Sequence, residues 1–394
     1  MKKRIYMSSP ALVCCAGRNK DELYESCLSG NQSGFVMRES FTGGKFPVGQ
    51  INWEMPEVDF QEIGNPVFAG KTRIFRIINT ALEQLAPTVE KAVSRYGREN
   101  IGVCLGSCDN GSEASFMAHN ALFEKNAFPK DYDLRFQNAS FPAEFVSRKF
   151  NLSGPVFTVA TACASGASAI VRGAEMIRAG FCEAVIAGGA DIVSQTVFSG
   201  FLSLEAVSEN LSNPFSKNRK GINLGEGAAF FLLDSQEISG VELLGAGESS
   251  DAFHMTAPGQ DGAGPVRAMK AALLDAEIEN GQIDYVNLHG TGTELNDKAE
   301  ALAMETVFGA ATPASSTKPI TGHTLGAAGA LEAAICWMVL TEKRGLPVHC
   351  WDGVRDEGLP FTPAVSCQKE PSICMSNSFA FGGCNVSLIM GSRP

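Results

Sequence analysis

Short apolar runs alternate with longer segments of helical periodicity along the whole chain. Buried strands are predicted over residues 101–105, 156–160, 184–187 and 285–288. Helices are predicted between them, over residues 167–179, 298–308 and 326–340. This alternation is typical of α/β proteins in which a largely parallel sheet is buried on both faces.

The length of the chain predicts two packed units. It has 394 residues, whereas single hydrophobic cores stop growing at roughly 250–300 residues. We therefore expect two similar α/β halves, residues 1–240 and residues 241–394. A weak internal similarity favours a duplication, because residues 157–163 and residues 373–383 both place small residues or glycines directly after a predicted strand.

Composition and charge exclude several classes of function. Hydrophobic residues make up 44% of the chain and charged residues 19%, as in globular proteins, and the net charge of −11 argues against sequence-independent binding to nucleic acid or anionic membranes. The 12 cysteines form no C-x-x-C pair, which favours free thiols in a reducing cytoplasm over disulfides or a zinc site. Ser8-Ser9-Pro10 interrupts an apolar start that imitates a signal peptide, so we expect a cytoplasmic protein that is neither secreted nor membrane-spanning.

Two of the histidines stand in glycine-rich turns. His289 lies in H-G-T-G-T directly after the strand predicted at 285–288, and His323 lies in T-G-H-T-L-G directly before a helix. Ligands of open α/β sheets bind at the carboxyl ends of strands, so both turns are candidate sites. The alternative for each histidine alone is a side chain that merely satisfies turn carbonyls.

Cys163 is the third candidate, because it follows a predicted strand and opens a helix of small residues. The amides at a helix N-terminus favour negative charge, so we expect a lowered pKa and a nucleophilic thiolate. An inert buried cysteine is the alternative. Walker A, complete G-x-G-x-x-G, G-x-S-x-G and H-E-x-x-H motifs are absent from the sequence, which argues against nucleotide-binding, α/β-hydrolase and zinc-protease functions.

Together these segments resemble the β-ketoacyl-[acyl carrier protein] synthases of the elongating Cys-His-His type, which belong to the thiolase superfamily. The motifs that carry the resemblance are T-A-C-A-S-G at Cys163, H-G-T-G-T at His289 and S-T-K-P-I-T-G-H-T-L-G-A-A-G at His323. Further matching segments follow in the family's order, at residues 213–215, 221–227, 251–256 and 377–385. The resemblance therefore covers nearly the whole chain.

The resemblance implies a fold, a reaction and partners. The fold is the thiolase fold, in which two similar α/β halves form a five-layered αβαβα core. The reaction is a decarboxylative Claisen condensation of an acyl group on Cys163 with malonyl carrier protein, giving 3-oxoacyl carrier protein in fatty-acid, polyketide or polyene biosynthesis. The implied partners are acyl carrier protein, whose phosphopantetheine arm carries the substrate, and a second subunit, in a homodimer or in a heterodimer with a ketosynthase-like chain-length factor. The reaction requires no metal or resident cofactor.

By the same resemblance, each motif residue has an expected role. His289 and His323 polarise the malonyl thioester carbonyl, and the backbone N–H groups of Cys163 and Phe381 form the oxyanion hole. The Phe381 side chain is expected to gate the nucleophile.

Four further residues have roles by resemblance. Lys318 and Glu332 correspond to supporting charged residues, and Lys318 is expected to hold His323 and its local network. Thr291 and Thr293 are expected to contact the phosphopantetheine arm.

The chain departs from the family pattern at several positions. Residues 7–11 read M-S-S-P-A in place of Gly-x-Gly, Asn213 replaces an arginine, Ser216 an aspartate and Cys384 a threonine. Asp109 stands where a bulky aliphatic residue often lines the fatty-acyl tunnel, and it is expected to suit a polar or aromatic polyene chain. These changes favour a specialised pathway, such as the aryl-polyene type, over ordinary fatty-acid elongation.

Docking of an acidic carrier protein on this acidic chain requires a local cationic patch. Two clusters beside family motifs are candidates: Lys71, Arg73 and Arg76, and Lys217, Arg219 and Lys220. An ordinary solvated surface is the alternative for both clusters.

Two other functions use the same fold. A thiolase acting on coenzyme A esters would need a second cysteine as a base, for which Cys384 is the candidate. A non-catalytic chain-length partner would lack the nucleophile, so Cys163 argues against it.

Overall fold

The computed structural model of the chain describes residues 3–58, 73–109, 111–130, 132–236, 238–309, 312–365 and 370–391. Its helices are α1 Lys20–Ser29, α2 Arg73–Tyr96, α3 Ser112–Lys125, α4 Phe141–Lys149, α5 Ser165–Arg178, α6 Gln195–Ser203, α7 Ala263–Ala276, α8 Glu294–Phe308, α9 Lys318–Thr321 and α10 Ala328–Glu342. Its strands are β1 Tyr6–Met7, β2 Ala11–Cys14, β3 Phe35–Glu39, β4 Lys45–Gly49, β5 Ile101–Gly106, β6 Val156–Val159, β7 Ala184–Asp191, β8 Gly227–Asp234, β9 Glu242–Ser250, β10 Tyr285–Asn287, β11 Ala314–Ser315, β12 Ile373–Phe379 and β13 Cys384–Gly391.

One mixed sheet runs through the described residues. Its order is β11-β10-β12-β13-β9-β1-β8-β7-β5-β6, with β2 also paired to β8. The outer strands are parallel, β5 with β6 and β7, and β10 with β11 and β12, whereas the strands between them are antiparallel. The prediction of a largely parallel sheet is therefore wrong for the middle of the sheet. Gly382 and Gly383, at φ 82° and 77°, allow β12 to turn directly into β13 without a crossover helix.

The sheet has two arms of the same topology, β6-β5-β7-β8-β2 and β11-β10-β12-β13-β9. In the first arm α5 lies in the connection from β6 to β7, and in the second arm α10 lies in the connection from β11 to β12. The predicted internal similarity between residues 157–163 and 373–383 is not this repeat, because β6 leads into α5 whereas β12 leads into β13. The structural counterpart of the Cys163 turn is the turn after β11.

Alternation of apolar side chains along the strands produces the layers. In β8, Phe231 and Leu233 face the central helices α5 and α10, whereas Phe230 and Leu232 face α2 on the outside. In the second arm, Met375 of β12 faces α7 and α8 on the opposite outer side. The resulting order of helix, sheet, helix, sheet and helix confirms the predicted five-layered thiolase fold.

Helix α10 lies at the centre of the molecule and, apart from the buried Glu332, has apolar or small side chains on every face that it buries. Within the described residues, the segment Leu325–Glu342 is long and apolar enough to cross a membrane by length and composition, but 89% of it is buried inside the protein. This degree of burial is typical of a helix in the core of a protein.

Candidate active site

Three turns from different parts of the chain meet in one cavity of about 530 Å³. Cys163 lies in the 3₁₀ turn Ala162–Ala164 between β6 and α5, His289 follows β10, and His323 follows α9. All three side chains line the cavity and are buried. The exposed fractions of Cys163, His289 and His323 are 6%, 2% and 3%. The structure thus brings together the three residues singled out from the sequence.

Cys163 and His323 form a direct pair, with Nε2 of the imidazole 3.0 Å from Sγ. Burial raises the pKa of Cys163 to about 12, while Lys318 and the backbone N–H of Phe381 act in the opposite direction. The predicted lowering of the Cys163 pKa is therefore wrong, because desolvation outweighs the helix N-terminus. Burial, and next Lys318, hold the pKa of His323 well below its ordinary value, so the resting pair is a thiol beside a neutral imidazole.

His289 stands edge-on to His323, with ring centroids 5.4 Å apart and an interplanar angle of 86°. Lys318 Nζ lies 3.4 Å from His289 Nδ1. Burial, then Lys318, then His323 lower the pKa of His289, so its ring is neutral. Because the lysine ammonium is a donor, Nδ1 accepts and the ring proton is assigned to Nε2.

Lys318 also forms an ion pair with Glu332, and the two side chains are 2% and 4% exposed. Burial raises the pKa of Glu332 to about 7, and Lys318 opposes this shift. Lys318 was expected to hold His323, but its Nζ contacts His289 and Glu332 instead. The reason is local: the short helix α9 begins at Lys318 and places its side chain behind the His289 turn.

Two carboxylates that the sequence analysis missed hold the His289 turn. Glu300 accepts the backbone N–H groups of His289 at 2.8 Å and Gly290 at 2.7 Å. Asp297, one helical turn earlier in α8, accepts the N–H groups of Gly292 at 3.2 Å and Phe215 at 2.8 Å. A signal for this pair was present in the sequence, because two acids three residues apart on a predicted helix lie on the same face and can bind the same neighbouring turn.

The predicted substrate contacts Thr291, Thr293 and Phe381 all line the cavity. The hydroxyls of Thr291 and Thr293 are 3.0 Å apart. The Phe381 ring stacks on Phe201 of α6 at a centroid distance of 5.8 Å and an interplanar angle of 17°. Its backbone N–H hydrogen-bonds to the Cys163 sulfur.

Asp109 lies elsewhere, in a separate void of about 10 Å³ that Phe75 and Phe136 also line. Its carboxylate accepts the Ser112 hydroxyl at 2.5 Å and backbone N–H groups of Gly111 and Ser112 at the start of α3. Burial raises the pKa of Asp109. In this structure Asp109 is bound to the start of α3 and does not line the cavity that holds Cys163.

The first predicted cationic cluster does not form a free patch among the described residues. Lys71 lies outside them. Arg73 points inward, with Nε 2.7 Å from a carboxylate oxygen of buried Glu226, and Arg76 lies 3.5 Å from Glu57. A buried acid ahead of β8 therefore neutralises Arg73.

The second cluster lies at the mouth of the cavity. Arg219 and Lys220 line it, and Lys217 is exposed nearby. Arg219 pairs with Asp356 at 2.5 Å, which leaves Lys217 and Lys220 as the exposed cations of this cluster.

The unusual residues of the neighbouring turn share one partner. Asn213 accepts the backbone N–H of Asp352 at 3.0 Å, and the Ser216 hydroxyl donates to the Asp352 carboxylate at 2.8 Å. Cys384, at the start of β13, is half-buried and is not among the residues that line the Cys163 cavity. The described part of the chain contains no group of three or more His, Cys, Asp or Glu residues arranged to hold a metal ion.

Comparison with known proteins identifies relatives over the full length. Family models match residues 66–238 as the β-ketoacyl synthase N-terminal domain and residues 241–349 as the β-ketoacyl synthase C-terminal domain. The chain is 33% identical to 3-oxoacyl-[acyl-carrier-protein] synthase 2 of Vibrio cholerae serotype O1, covering 98% of this chain and 99% of that protein.

Similar solved structures include the following two. One is the ketosynthase ApeO in complex with its chain length factor ApeC from Xenorhabdus doucetiae, at 37% identity and a TM-score of 0.92, covering 99% of this chain and 98% of that chain. The other is the ishigamide ketosynthase/chain length factor, at 26% identity and a TM-score of 0.86, covering 100% of both chains.

Proposed function

The chain belongs to the β-ketoacyl synthase family of acyltransferases, and we propose that it condenses an acyl group on Cys163 with malonyl carrier protein, releasing carbon dioxide and 3-oxoacyl carrier protein. Membership confirms the resemblance seen in the sequence. The proposal adds the roles of the individual residues.

One observation carries the proposal. A cysteine sulfur, an imidazole 3.0 Å from it and a second imidazole edge-on to the first share one buried cavity. A thiol–imidazole pair alone would suit many acyl transfers. The second neutral imidazole, with its proton fixed on Nε2 by Lys318, supplies the additional donor that a carbanion-forming step requires.

In the first step the acyl group moves from carrier protein to Cys163. The Cys163 proton passes to His323 Nε2 as sulfur attacks the thioester carbonyl, because the pKa of the thiol is too high for spontaneous ionisation. The carbon–sulfur bond to the phosphopantetheine arm breaks, and the departing thiolate takes the proton from His323. The N–H groups of Cys163 and Phe381 stabilise the oxyanion formed between attack and departure.

In the second step malonyl carrier protein enters the acylated site. Its carbon–carboxylate bond breaks, carbon dioxide leaves, and the electron pair becomes the enolate of the remaining thioester. Once the thioester has replaced the thiol, the neutral His323 ring moves its proton from Nδ1 to Nε2 through solvent, and the Nε2–H groups of His289 and His323 stabilise the enolate oxygen. The enolate carbon then attacks the Cys163 thioester, and the cysteine leaves as a thiolate that takes the Nε2 proton of His323, while His323 Nδ1 regains a proton from solvent.

The carrier protein presents its substrate through the mouth of the cavity. Thr291 and Thr293 line the route and offer hydroxyls to the amide groups of a phosphopantetheine arm. The exposed Lys217 and Lys220 offer charge to an acidic carrier. We propose that the phosphopantetheine belongs to the carrier, that no metal takes part, and that the protein acts in the cytoplasm.

The proposal includes a second subunit, either another copy or a chain-length factor. β6 is an outer strand of the sheet, and its Phe157 is 54% exposed. Phe123 of α3 is 86% exposed, a further large apolar side chain without cover in this chain. The similar ApeO and ishigamide structures are described with chain length factors, which favours the heterodimer and a specialised pathway such as the aryl-polyene type.

We also propose residue 240 as the boundary between the two halves. It falls in the connection from β8, which ends at Asp234, to β9, which begins at Glu242. These two strands belong to different arms of the sheet.

The proposed function is tested by incubating the protein with malonyl carrier protein and acyl carrier protein, while released carbon dioxide and the masses of both carriers are measured. We expect one carbon dioxide per 3-oxoacyl carrier. A thiolase would instead act on coenzyme A esters without releasing carbon dioxide, and a non-catalytic partner would leave both carriers unchanged. Cys384→Ala, outside the cavity lining, is the matched control for Cys163→Ala.

A further inference from the structure

Asp191, at the end of β7, is a fully buried acid that the proposed reaction does not use. Its carboxylate accepts the N–H of Gly326 at 2.6 Å, the N–H of Cys108 at 3.0 Å and the hydroxyl of Ser107 at 3.0 Å. The two N–H donors come from different arms of the sheet. The Asp191 carboxylate therefore links the turn that contains Cys108 to the turn that contains Gly326 through hydrogen bonds.

The first of these turns leads to the nucleophile. Cys108, held by Asp191 through its backbone, places its Sγ 3.0 Å from the carbonyl oxygen of Ala162. Ala162 directly precedes Cys163 and has φ 48°, a left-handed conformation that costs energy in a non-glycine residue. The surrounding contacts must therefore hold it, and the Cys108 thiol is one of them.

The second turn follows His323. Leu325 has φ 53°, and Gly326 comes next. A Cβ on Gly326 would lie 2.5 Å from the Asp191 carboxylate, and a Cβ on Gly166 of α5 would lie 2.7 Å from the Gly326 carbonyl oxygen. The His323 turn is thus clamped between Asp191 and the helix that carries the nucleophile.

We infer that Asp191 is a positioning residue that sets the distance between Cys163 and His323 by bracing the Cys108 and Gly326 turns against each other. The inference rests on the proposed function, because it assigns Asp191 to the alignment of that reaction. Asp191 contacts neither the cavity nor the reacting atoms. Its effect passes through the two turns.

Asp191→Asn keeps the size of the side chain but replaces one acceptor oxygen with a donor NH₂, which opposes an N–H group. We expect the condensation kcat to fall about 100-fold, as for other misaligned catalytic groups, with the KM for malonyl carrier protein within twofold. Acylation of Cys163 should still reach completion, as expected of His323→Ala. Because His323→Ala abolishes decarboxylation, the two changes are combined in the acylation step, where Asp191→Asn/His323→Ala should be no slower than His323→Ala, since both changes remove the same contact. Asp191→Glu, which keeps both acceptors, should recover part of the rate.

Asp234→Asn is the matched control, since Asp234 is equally buried at the end of β8 and accepts Tyr96 and Gln236 away from the cavity. It should keep the parental kcat even if its melting temperature falls. A crystal structure of Asp191→Asn should show His323 Nε2 beyond hydrogen-bonding reach of Cys163 Sγ, a readout that needs no activity.

Two results would overturn the inference. One is a parental kcat in folded Asp191→Asn, and the other is a loss of acylation rate that adds in full to the loss caused by His323→Ala. If Asp191→Asn does not fold, Gly326→Ala approaches the same carboxylate from the other side and should give the same loss of kcat without a KM change. An unchanged kcat there would also overturn it. Failure of the parent protein to condense refutes the proposed function instead, and the crystal structure still decides the role of Asp191.

Discussion

The two arms of the sheet present equivalent turns to the cavity, and these turns are built differently. The turn between β6 and α5, which carries Cys163, is organised by a neutral hydroxyl: Ser165 Oγ donates to the Ala162 carbonyl at 2.6 Å and accepts the Thr161 N–H at 2.9 Å. The turn between β11 and α10, which carries His323, also carries Lys318, which forms a buried ion pair with Glu332 inside α10.

This difference separates the two chemical tasks. Around Cys163, burial raises the pKa of the thiol and keeps the sulfur protonated, which in the proposed reaction lasts until an acyl donor arrives. Around the histidines, burial and then the Lys318 cation lower the pKa of both rings and keep them neutral, and the cation also fixes the tautomer of His289. In the proposed reaction, one of these two topologically equivalent turns carries the covalent attachment, and the other controls the proton and the enolate.

The largest expected effect is the separation of these tasks by mutation. Cys163→Ala should abolish acyl-enzyme formation, because no other thiol of the cavity lining can replace it. His323→Ala should slow acylation by about 100-fold but let it reach completion, while malonyl decarboxylation is lost. Intact mass and carbon dioxide release measure the two steps. An acyl adduct on another cysteine, with Cys163 unmodified, would refute the division.

The buried ion pair provides the second test. Lys318→Met leaves Glu332 uncompensated in the core and should lower the free energy of unfolding by about 3–5 kcal/mol. Lys318→Met/Glu332→Leu should restore most of that stability, because well-packed apolar pairs replace buried ion pairs at little cost. Urea unfolding measures stability, and condensation should stay lost in both variants. Recovery of activity in the double variant would show that Lys318 does not control His289.

Local motifs made the three central residues predictable. Cys163, His289 and His323 each lie in a turn whose sequence is short and specific, and the turns follow strands that the apolar pattern located. The helix predicted over residues 326–340 corresponds to α10, which spans Ala328–Glu342.

Side-chain direction was not predictable in the same way. Arg73 was assigned to a surface patch, but its partner Glu226 is 153 residues away in the chain. Asp109 was assigned to the acyl tunnel, yet its carboxylate accepts the Ser112 hydroxyl at the start of α3. The lowered pKa expected for Cys163 failed because a helix N-terminus can be inferred from sequence, whereas the depth of burial depends on the packing of both arms.

The third test concerns the cations at the mouth of the cavity, which we expect to affect binding of the carrier protein and not the chemical steps. Lys217→Glu/Lys220→Glu should raise the KM for acyl carrier protein about tenfold and leave turnover of a small pantetheine thioester unchanged, since charges at a rim act on encounter. High salt should mimic this change in the parent. Lys91→Glu/Lys270→Glu, at exposed sites on α2 and α7, is the control with the same net charge. An equal KM for carrier in both double variants would exclude this docking site.

The smallest expected effect concerns the support behind the histidine turn. Burial lowers the pKa of His349 to about 4, while its Nδ1 accepts the Ser316 N–H at 3.2 Å and its Nε2 donates to the Pro214 carbonyl at 3.1 Å. Between pH 6.5 and 4 the unfolded chain binds the proton that the folded chain excludes, so stability falls as pH falls. From pH 7 to pH 5 this histidine should cost about 2 kcal/mol. His349→Gln should reduce the pH dependence of urea unfolding by that amount, and an unchanged slope would contradict the assignment.

The most direct test of the central claim is a single turnover of acyl-loaded protein. The protein is first acylated by acyl carrier protein and freed of excess donor, and its mass is measured before and after malonyl carrier protein is added. We predict that the adduct maps to Cys163, stays in place without malonyl carrier, and moves to that carrier as a 3-oxoacyl group with loss of one carbon dioxide. An adduct that leaves as the free acid, or a carrier that keeps its malonyl group, would contradict the account.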